Sequence, residues 1–229
     1  LPSTKAGEEI PSPEDTHGHG TKMAGVALYR DIGEAIQRGY HAASHWIHSS
    51  RLLVTPNQGT ASDENYEKWP VLTQGAIRAV EVTDQTPRNR VFTLAITRSM
   101  QEPPLDTIER ATLWSQAVDQ LAYNDGNGRL IVVSAGNARD AQWSTLVEGY
   151  PQAQLTEKVH QPALAANALT VGAYTSRVTL PPCQDYAEAR LAATKPDGIS
   201  PFTSTGSVQP DWPVKPDVVM EGGNLAISG

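Results

Sequence analysis

The spacing of apolar positions predicts two amphipathic helices in the middle of the chain. Within residues 71–82 the apolar positions at helical spacing are Leu72, Ala76, Ile77 and Val80. Within residues 109–123 the apolar positions that share one helical face are Ala111, Trp114, Ala117, Val118 and Leu121. Residues three or four positions apart lie on the same side of an α-helix, so each segment is expected to bury one face. A further helix is predicted at residues 20–32, GTKMAGVALYRDI, after a glycine-rich turn.

Three segments rich in apolar and β-branched residues predict strands, at 90–97, 129–136 and 168–175, and residues 50–54 are a short fourth candidate. Strands that alternate with helices pair in parallel, and continuous apolar strands are typical of a sheet covered on both faces. The predicted fold class is therefore α/β, a three-layer, mostly parallel sheet with helices on both faces. Function usually gathers at the carboxyl ends of such strands, and Asn137 follows one of them directly.

The remaining segments are predicted to be loops. Residues 1–18 are polar and rich in Pro, Glu and Asp, which suits a surface loop. Residues 56–70, PNQGTASDENYEKWP, are predicted to form an exposed excursion. The sequence NDGNG at 124–128 has the letters of a calcium loop without its length or its terminal glutamate, so the simpler prediction is a turn that ends the preceding helix.

Length and composition indicate an ordered globular protein and exclude some classes of binding partner. The 229 residues suit one large domain, or at most two small ones. A hydrophobic content of 39% and a charged content of 19% are ordinary for a globular protein and argue against disorder.

A net charge of −7 argues against nucleic acid as a partner, because binding to a phosphate backbone requires a basic face. No apolar run is long enough to cross a bilayer, so no membrane partner is expected.

The single cysteine, Cys183, excludes a disulfide within the chain and fits a reducing compartment. The chain also shows no signal-peptide pattern, so the sequence favours an intracellular location. The surrounding sequence LPPCQDY offers the thiol no neighbouring base, and we expect Cys183 to be structural rather than a nucleophile.

The segment DTHGHGTKMAG, residues 15–25, is the first candidate for chemistry. A phosphate loop is excluded because its glycines do not form G-x-G-x-x-G and Lys22 lacks the spacing of a P-loop lysine. A zinc site is a second interpretation, since His17 and His19 form an H-x-H pair and neutral imidazoles are common zinc ligands.

The segment HAASHWIH adds three histidines to the zinc interpretation. They are His41, His45 and His48. The segment lacks the glutamate of H-E-x-x-H, however, and the first pair has no aspartate at the position that an H-x-H-x-D metallohydrolase needs. We therefore expect these three to be polar surface residues near a helix end, and a zinc hydrolase that uses His17 and His19 stays an alternative.

The third interpretation is the histidine of a catalytic triad. HGTKMAG at residues 19–25 resembles the H-G-T-x-x-A-G motif around the active-site histidine of the subtilisin-like serine proteases, or subtilases. Four later segments resemble the family's A-G-N, V-x-V-G-A, A-x-F-S-x-x-G and K-P-D-I-x-A-P-G motifs, in that order. These segments are SAGN at 134–137, LTVGAYTS at 169–176, ISPFTSTG at 199–206 and KPDVVMEGG at 215–223. On these five matches, which fall within residues 17–223, the chain is identified as a member of the subtilase family.

The resemblance implies a serine endopeptidase that acts on polypeptides. His19 would be the general acid and base, since an imidazole titrates near working pH, and Asn137 would donate to the oxyanion. Ser134, Ala135 and Gly136 would form one wall of the pocket for the residue before the scissile bond. Residues 93–97, TLAIT, resemble the opposing substrate-binding strand. Family members often bind calcium, but no set of ligands is identifiable here, so no cofactor is expected.

Two triad members are missing from the sequence. The family's aspartate belongs to a D-[ST]-G strand that this chain does not contain, and Asp15 lies too close to His19 to replace it. The family's nucleophile lies in G-T-S-x-A, which is also absent, and neither the STGS at 204–207 nor Ser228 fits its place. We therefore expect residues 1–229 to be a single catalytic-domain core without the N-terminal Asp strand and the C-terminal Ser helix.

A core of this kind is predicted to be inactive by itself. Loss of covering elements would expose apolar surface and unpaired strand edges, so self-association is expected to be easier than for a complete domain. The alternative is a non-catalytic binding module with the subtilase fold. The two interpretations differ in whether the protein carries a G-T-S serine.

Overall fold

The structure is a computed structural model that describes most of the chain. The residues it describes are 15, 18–39, 43, 45–52, 67–98, 111–138, 143–180, 188–205 and 213–227. The chain divides into two compact units, Leu1–Pro87 and Arg88–Gly229. Its organisation as one catalytic-domain core stays a prediction.

The described part of the first unit contains three helices. They are α1 (His19–Tyr29), α2 (Ile32–Arg38) and α3 (Trp69–Thr83). The helix predicted for residues 20–32 is confirmed in its start but not in its length. Arg30 adopts a φ of 58°, which ends α1, and Asp31 then caps α2 by accepting a hydrogen bond from the Glu34 backbone N–H at 3.0 Å. The predicted segment is therefore one helix and the beginning of another.

The helix predicted for residues 71–82 is confirmed as α3, with Pro70 in its first turn, where the missing N–H costs nothing. Its buried positions are Thr73 and Ile77, whereas Leu72 is 42% exposed. The buried face is thus rotated by about one position from the predicted one, because a threonine takes an interior place.

Two other expectations in this unit are wrong in part. Residues 50–52 have no regular secondary structure, so the strand predicted there is not seen, and residues 53 and 54 lie outside the described ranges. The predicted excursion, residues 56–70, overlaps the beginning of α3 at Trp69 and Pro70, and residues 56–66 lie outside the described ranges. Trp69 and Pro70, which follow the charged Glu67 and Lys68, therefore begin helix α3 rather than end the loop.

The second unit contains seven strands and three helices among its described residues. They are β1 (Val91–Leu94), α4 (Leu113–Tyr123), β2 (Leu130–Ser134), α5 (Trp143–Glu148), α6 (Gln152–Thr156), β3 (Leu169–Thr175), β4 (Arg190–Leu191), β5 (Gly198–Ile199), β6 (Val218–Glu221) and β7 (Ala226–Ile227). The three longer predicted strands are confirmed as β1, β2 and β3. Asn124 and Asp125, both with positive φ, end α4 in the turn that the sequence there predicts.

The main sheet is mostly parallel. β1 pairs with β2, β2 with β3, and β3 with β6, all in parallel, and the short β5 pairs with β3 in the antiparallel direction. β4 and β7 form a separate two-stranded antiparallel sheet. The predicted α/β class is confirmed. Because β1, β2, β3 and β6 run in one direction, their carboxyl ends meet at one edge of the sheet.

Helix α4 lies against β2 and supplies much of the core of this unit. The predicted buried positions in α4 are confirmed: Trp114, Ala117, Val118 and Leu121. Ala111 precedes the helix and is only partly buried. Ile131 and Val133 of β2 are fully buried, while Leu130 is 50% exposed and all of β6 is exposed. The expectation of a sheet buried on both faces therefore holds only in part for the described strands, and the three-layer arrangement stays a prediction.

A buried lysine joins the starts of β3 and β6. The Lys215 side chain is 0% exposed, and its Nζ donates to the Ala168 carbonyl and to Asp217 Oδ2, both at 2.8 Å. Asp217 Oδ2 also accepts the Thr170 backbone N–H at 2.7 Å, and the Asp217 N–H donates to the Thr170 carbonyl at 2.9 Å. The K-P-D sequence thus fixes the register of β6 on β3 through a charged hydrogen-bond cluster.

We expect Lys215→Met in the full-length protein to lower the free energy of unfolding by about 1–3 kcal/mol. Methionine fills a similar volume but cannot donate, so the Ala168 carbonyl loses its donor and Asp217 loses its cation. Urea unfolding measures the change, with Lys195→Met at an exposed position as the matched control, expected to stay within about 0.5 kcal/mol. Equal effects of the two substitutions would show that the cluster does not stabilise the sheet.

Candidate active site

Asp15 fixes the start of the helix that carries His19. Its Oδ1 accepts the Gly18 N–H at 2.9 Å, and its Oδ2 accepts the Thr21 N–H at 2.7 Å and the Thr21 hydroxyl at 2.8 Å. Gly18 has a φ of 74°, a conformation that favours glycine, and His19 is the first residue of α1. A carboxylate at this place satisfies N–H groups that have no partner within the helix and opposes the positive end of its dipole. These hydrogen bonds give Asp15 a local anchoring role beside His19.

We expect Asp15→Ala to loosen the first turn of α1, by about 1 kcal/mol of local stability. Hydrogen exchange measured by mass spectrometry on peptides that cover residues 18–22 should become faster. Asp15→Asn is the matched control, because asparagine retains an acceptor oxygen and caps helices nearly as well. Unchanged exchange in Asp15→Ala would contradict the anchoring role.

The segment Ser134–Asn137, called the 134–137 segment below, begins at the last residue of β2 and leaves the strand at the carboxyl edge of the sheet. Gly136 has a φ of 110°, which a residue with a side chain rarely adopts, so the sharp turn after β2 requires the glycine of the A-G-N sequence. The Gly136 N–H donates to Ser134 Oγ at 3.3 Å. Ala135 and Gly136 are buried, Ser134 is half-buried and Asn137 is exposed.

Backbone hydrogen bonds hold the 134–137 segment from both sides. The Ala135 N–H donates to the Val171 carbonyl at 2.9 Å, which continues the β2–β3 pairing beyond the end of β2. On the other side, the Ser204 N–H donates to the Gly136 carbonyl at 3.1 Å. Asn137 forms an isolated antiparallel bridge with Thr203, and the Ala138 N–H donates to the Phe202 carbonyl at 2.9 Å. The backbone is therefore hydrogen-bonded on both sides of Asn137, and this backbone carries its exposed carboxamide.

A histidine that the sequence analysis did not single out packs directly on this segment. His160 is only 3% exposed, and a β-carbon built on Gly136 would overlap its ring. Its Nδ1 lies 3.2 Å from Thr97 Oγ1, and its Nε2 lies 3.4 Å from Ser204 Oγ. The only sequence feature at His160 is a lone histidine before Gln-Pro, which does not predict contact with a distant A-G-N turn.

The carboxyl ends of β3 and β6 are tied by an acidic side chain. Glu221 Oε2 accepts the Ser176 N–H at 2.7 Å, and its Oε1 accepts the Gly223 N–H at 2.8 Å. Partial desolvation acts to raise the pKa of the Glu221 carboxyl, but these two hydrogen bonds, with the Thr175 hydroxyl and the charge of Arg177, outweigh it and hold the pKa below its ordinary value. Elsewhere in the unit, burial raises the pKa of Tyr150, whose hydroxyl donates to the Ile199 carbonyl at 2.9 Å.

The predicted site residues are placed as follows. Ser134, Ala135, Gly136 and Asn137 form one continuous turn in the second unit, and His19 begins α1 in the first unit. His45 and His48 are exposed, as expected, while His17, His41, Cys183 and Ser228 lie outside the described ranges.

Within the described ranges, no three or more His, Cys, Asp or Glu side chains are grouped as a metal site would require. None of the helices described is both long and apolar enough to span a membrane.

Comparison with known proteins gives a family for the chain. The sequence model of the subtilase family matches residues 2–229, nearly the whole length. No curated protein sequence matches the chain at a significant level. The match agrees with the mostly parallel sheet and with the A-G-N turn that follows β2. The chain therefore belongs to the subtilase family, whose members are serine peptidases that act on polypeptides.

Proposed function

We propose that the protein containing this chain is a serine endopeptidase that hydrolyses peptide bonds through a Ser-His-Asp triad and an asparagine oxyanion donor. His19 is the general acid and base, and Asn137 is the oxyanion donor. The observation that carries the proposal is the anchored 134–137 segment, which holds an exposed carboxamide at the carboxyl edge of a parallel sheet.

In this mechanism His19 accepts the proton of the attacking serine hydroxyl and then donates it to the leaving amine. Negative charge collects on the former carbonyl oxygen as the tetrahedral intermediate forms. An N–H donor that is already in place stabilises this charge without reorganising, so it lowers the barrier more than it tightens substrate binding. The hydrogen bonds that fix Ala135, Gly136 and Ala138 support this role for Asn137.

The proposed substrate cleft has the 134–137 segment on one side and residues 93–97 on the other. Ser134, Ala135 and Gly136 form one wall of the pocket for the residue before the scissile bond. The His160 imidazole contacts both Gly136 and Thr97, which supports placing the two segments opposite each other with this ring between them. Ala135 and Gly136 are buried, so their contribution to the wall is backbone and packing rather than exposed side chain.

Residues 1–229 by themselves are proposed to be inactive, because they contain neither a G-T-S sequence nor a D-[ST]-G sequence. An acyl transfer without its nucleophile and without the aspartate that orients the histidine retains only binding and oxyanion contacts. The second candidate, a non-catalytic binding module, is favoured by the same two missing sequences. It predicts that the full-length protein binds polypeptides without cleaving them.

Cleavage of casein by the full-length protein tests the proposal. We expect release of internal fragments, inhibition by phenylmethylsulfonyl fluoride and no inhibition by the zinc chelator 1,10-phenanthroline. Inhibition by the chelator alone would favour the zinc hydrolase that uses His17 and His19. A folded protein that binds casein without cleaving it would favour the binding module.

A further inference from the structure

His160 is fixed by its own backbone as well as by its ring. Its N–H donates to the Ala135 carbonyl at 2.9 Å, so the backbone of His160 is attached to the first turn after β2. The ring then crosses the Gly136 backbone and ends between Thr97 Oγ1 and Ser204 Oγ. A single residue thus contacts the turn after β2, the segment after β1 and Ser204.

The neighbouring residue holds His160 from the opposite side. Gln161 and Arg98 exchange two backbone hydrogen bonds of 2.8 Å each, in an isolated antiparallel bridge. The Gln161 side-chain oxygen accepts the Thr112 N–H at 3.3 Å, the Thr112 hydroxyl at 3.0 Å and the Ser115 hydroxyl. The His160–Gln161 pair is therefore attached to the segment after β1 and to the start of α4, so the backbone that carries the ring is held at both places.

The position of the ring matters because Gly136 is the most adaptable residue of the turn. Glycine reaches a wide range of backbone conformations, and here it has a φ of 110°. Its conformation sets the direction in which Asn137 leaves the turn. Gly136 has no side chain of its own to lock that conformation, so the restraint comes from the imidazole packed on its α-carbon and from the Ser204 N–H on its carbonyl.

We propose that His160 is a positioning residue for Asn137, which it holds in place by packing on Gly136. The inference rests on the proposed function, in which Asn137 donates to the oxyanion. His160 is buried and packs on Gly136, so its contribution is to reduce the range of positions that the Asn137 carboxamide visits. Displacing the Asn137 N–H donor weakens its stabilisation of the transition state but changes substrate binding little.

The test is a double-mutant cycle in the full-length protein with His160→Leu and Asn137→Ala, using kcat and KM for a fluorogenic peptide. Leucine keeps an apolar volume but loses the flat ring and both polar contacts. We expect His160→Leu to lower kcat about tenfold with KM unchanged within about twofold, and to lower kcat less than about twofold when Asn137 is already alanine. Val118→Ala, a substitution in the core of α4, is the control for lost stability and is expected to leave kcat within about twofold.

The outcomes separate the two proposals. If Asn137→Ala lowers kcat and His160→Leu does not, the positioning role is wrong while the proposed function stands. The same conclusion follows if His160→Leu lowers kcat by the same factor in the wild type and in Asn137→Ala. If Asn137→Ala leaves kcat unchanged, the proposed function fails and the positioning role fails with it. Should His160→Leu not fold, His160→Gln repeats the test with a side chain that keeps one polar group. It is expected to lower kcat more than about threefold, and only while Asn137 is present.

Discussion

Replacing His19 by alanine is expected to remove almost all peptide hydrolysis by the full-length protein. In a subtilisin, loss of the triad histidine lowers kcat by about 10⁶-fold, and we take this magnitude over for His19. The physical reason is that no other group would accept the serine proton as the hydroxyl attacks, so the nucleophile stays a weakly reactive alcohol. Active-site-titrated kcat with a fluorogenic peptide measures the effect.

The matched control for His19→Ala is His48→Ala, which removes an exposed histidine of the same unit. We expect this variant to keep kcat within about twofold of the wild type. Retention of more than about 1% of kcat in His19→Ala would contradict the role of His19 as general base. A similar loss in both variants would instead indicate damage to the first unit as a whole.

Asn137→Ala is expected to have the second largest effect. In subtilisin, removal of the oxyanion asparagine lowers kcat by about 10²–10³-fold, a magnitude that we again take over. KM is expected to change little, because the carboxamide meets its charge only as the tetrahedral intermediate forms. The turn should stay folded, since its anchoring hydrogen bonds are all made by backbone atoms of Ala135, Gly136 and Ala138.

The matched control for Asn137→Ala is Asn89→Ala, another exposed asparagine of the second unit. Its kcat and KM are expected to be those of the wild type within about twofold. A loss in Asn137→Ala that appeared entirely in KM would contradict the oxyanion role, because it would indicate a uniform contribution to substrate binding.

The regular elements could be predicted wherever one period dominated the sequence. Helix α4 has its apolar residues at helical spacing, and Trp114, Val118 and Leu121 are buried as predicted. Strand β2 is apolar at its first four positions, 130–133, and forms where the sequence predicts it. The prediction for α3 was less accurate, because Thr73 is buried in place of the more hydrophobic Leu72, and hydrophobicity alone does not distinguish these two positions.

The candidate site could be predicted only where its residues follow one another in sequence. Asn137 is marked by the A-G-N sequence after β2, and His19 by the H-G-T sequence at the start of α1. The sequence does not indicate a role for His160, because its place beside Gly136 depends on sheet pairing and on the Arg98–Gln161 bridge. Asp15 lies close to His19 in sequence and is not predicted to be the triad aspartate, which stays a prediction. Its capping of α1 follows from the three hydrogen bonds that the structure places on its carboxylate.

The most direct test of the central claim is covalent labelling of the full-length protein with a fluorophosphonate probe, which reacts with activated serines. Mass spectrometry locates the adduct, and His19→Ala serves as the control. We predict one labelled serine, in a G-T-S sequence outside residues 1–229, with labelling lost in His19→Ala. No labelling of the folded wild-type protein, or equal labelling of the His19→Ala variant, would contradict the claim that this chain forms part of a serine peptidase active site.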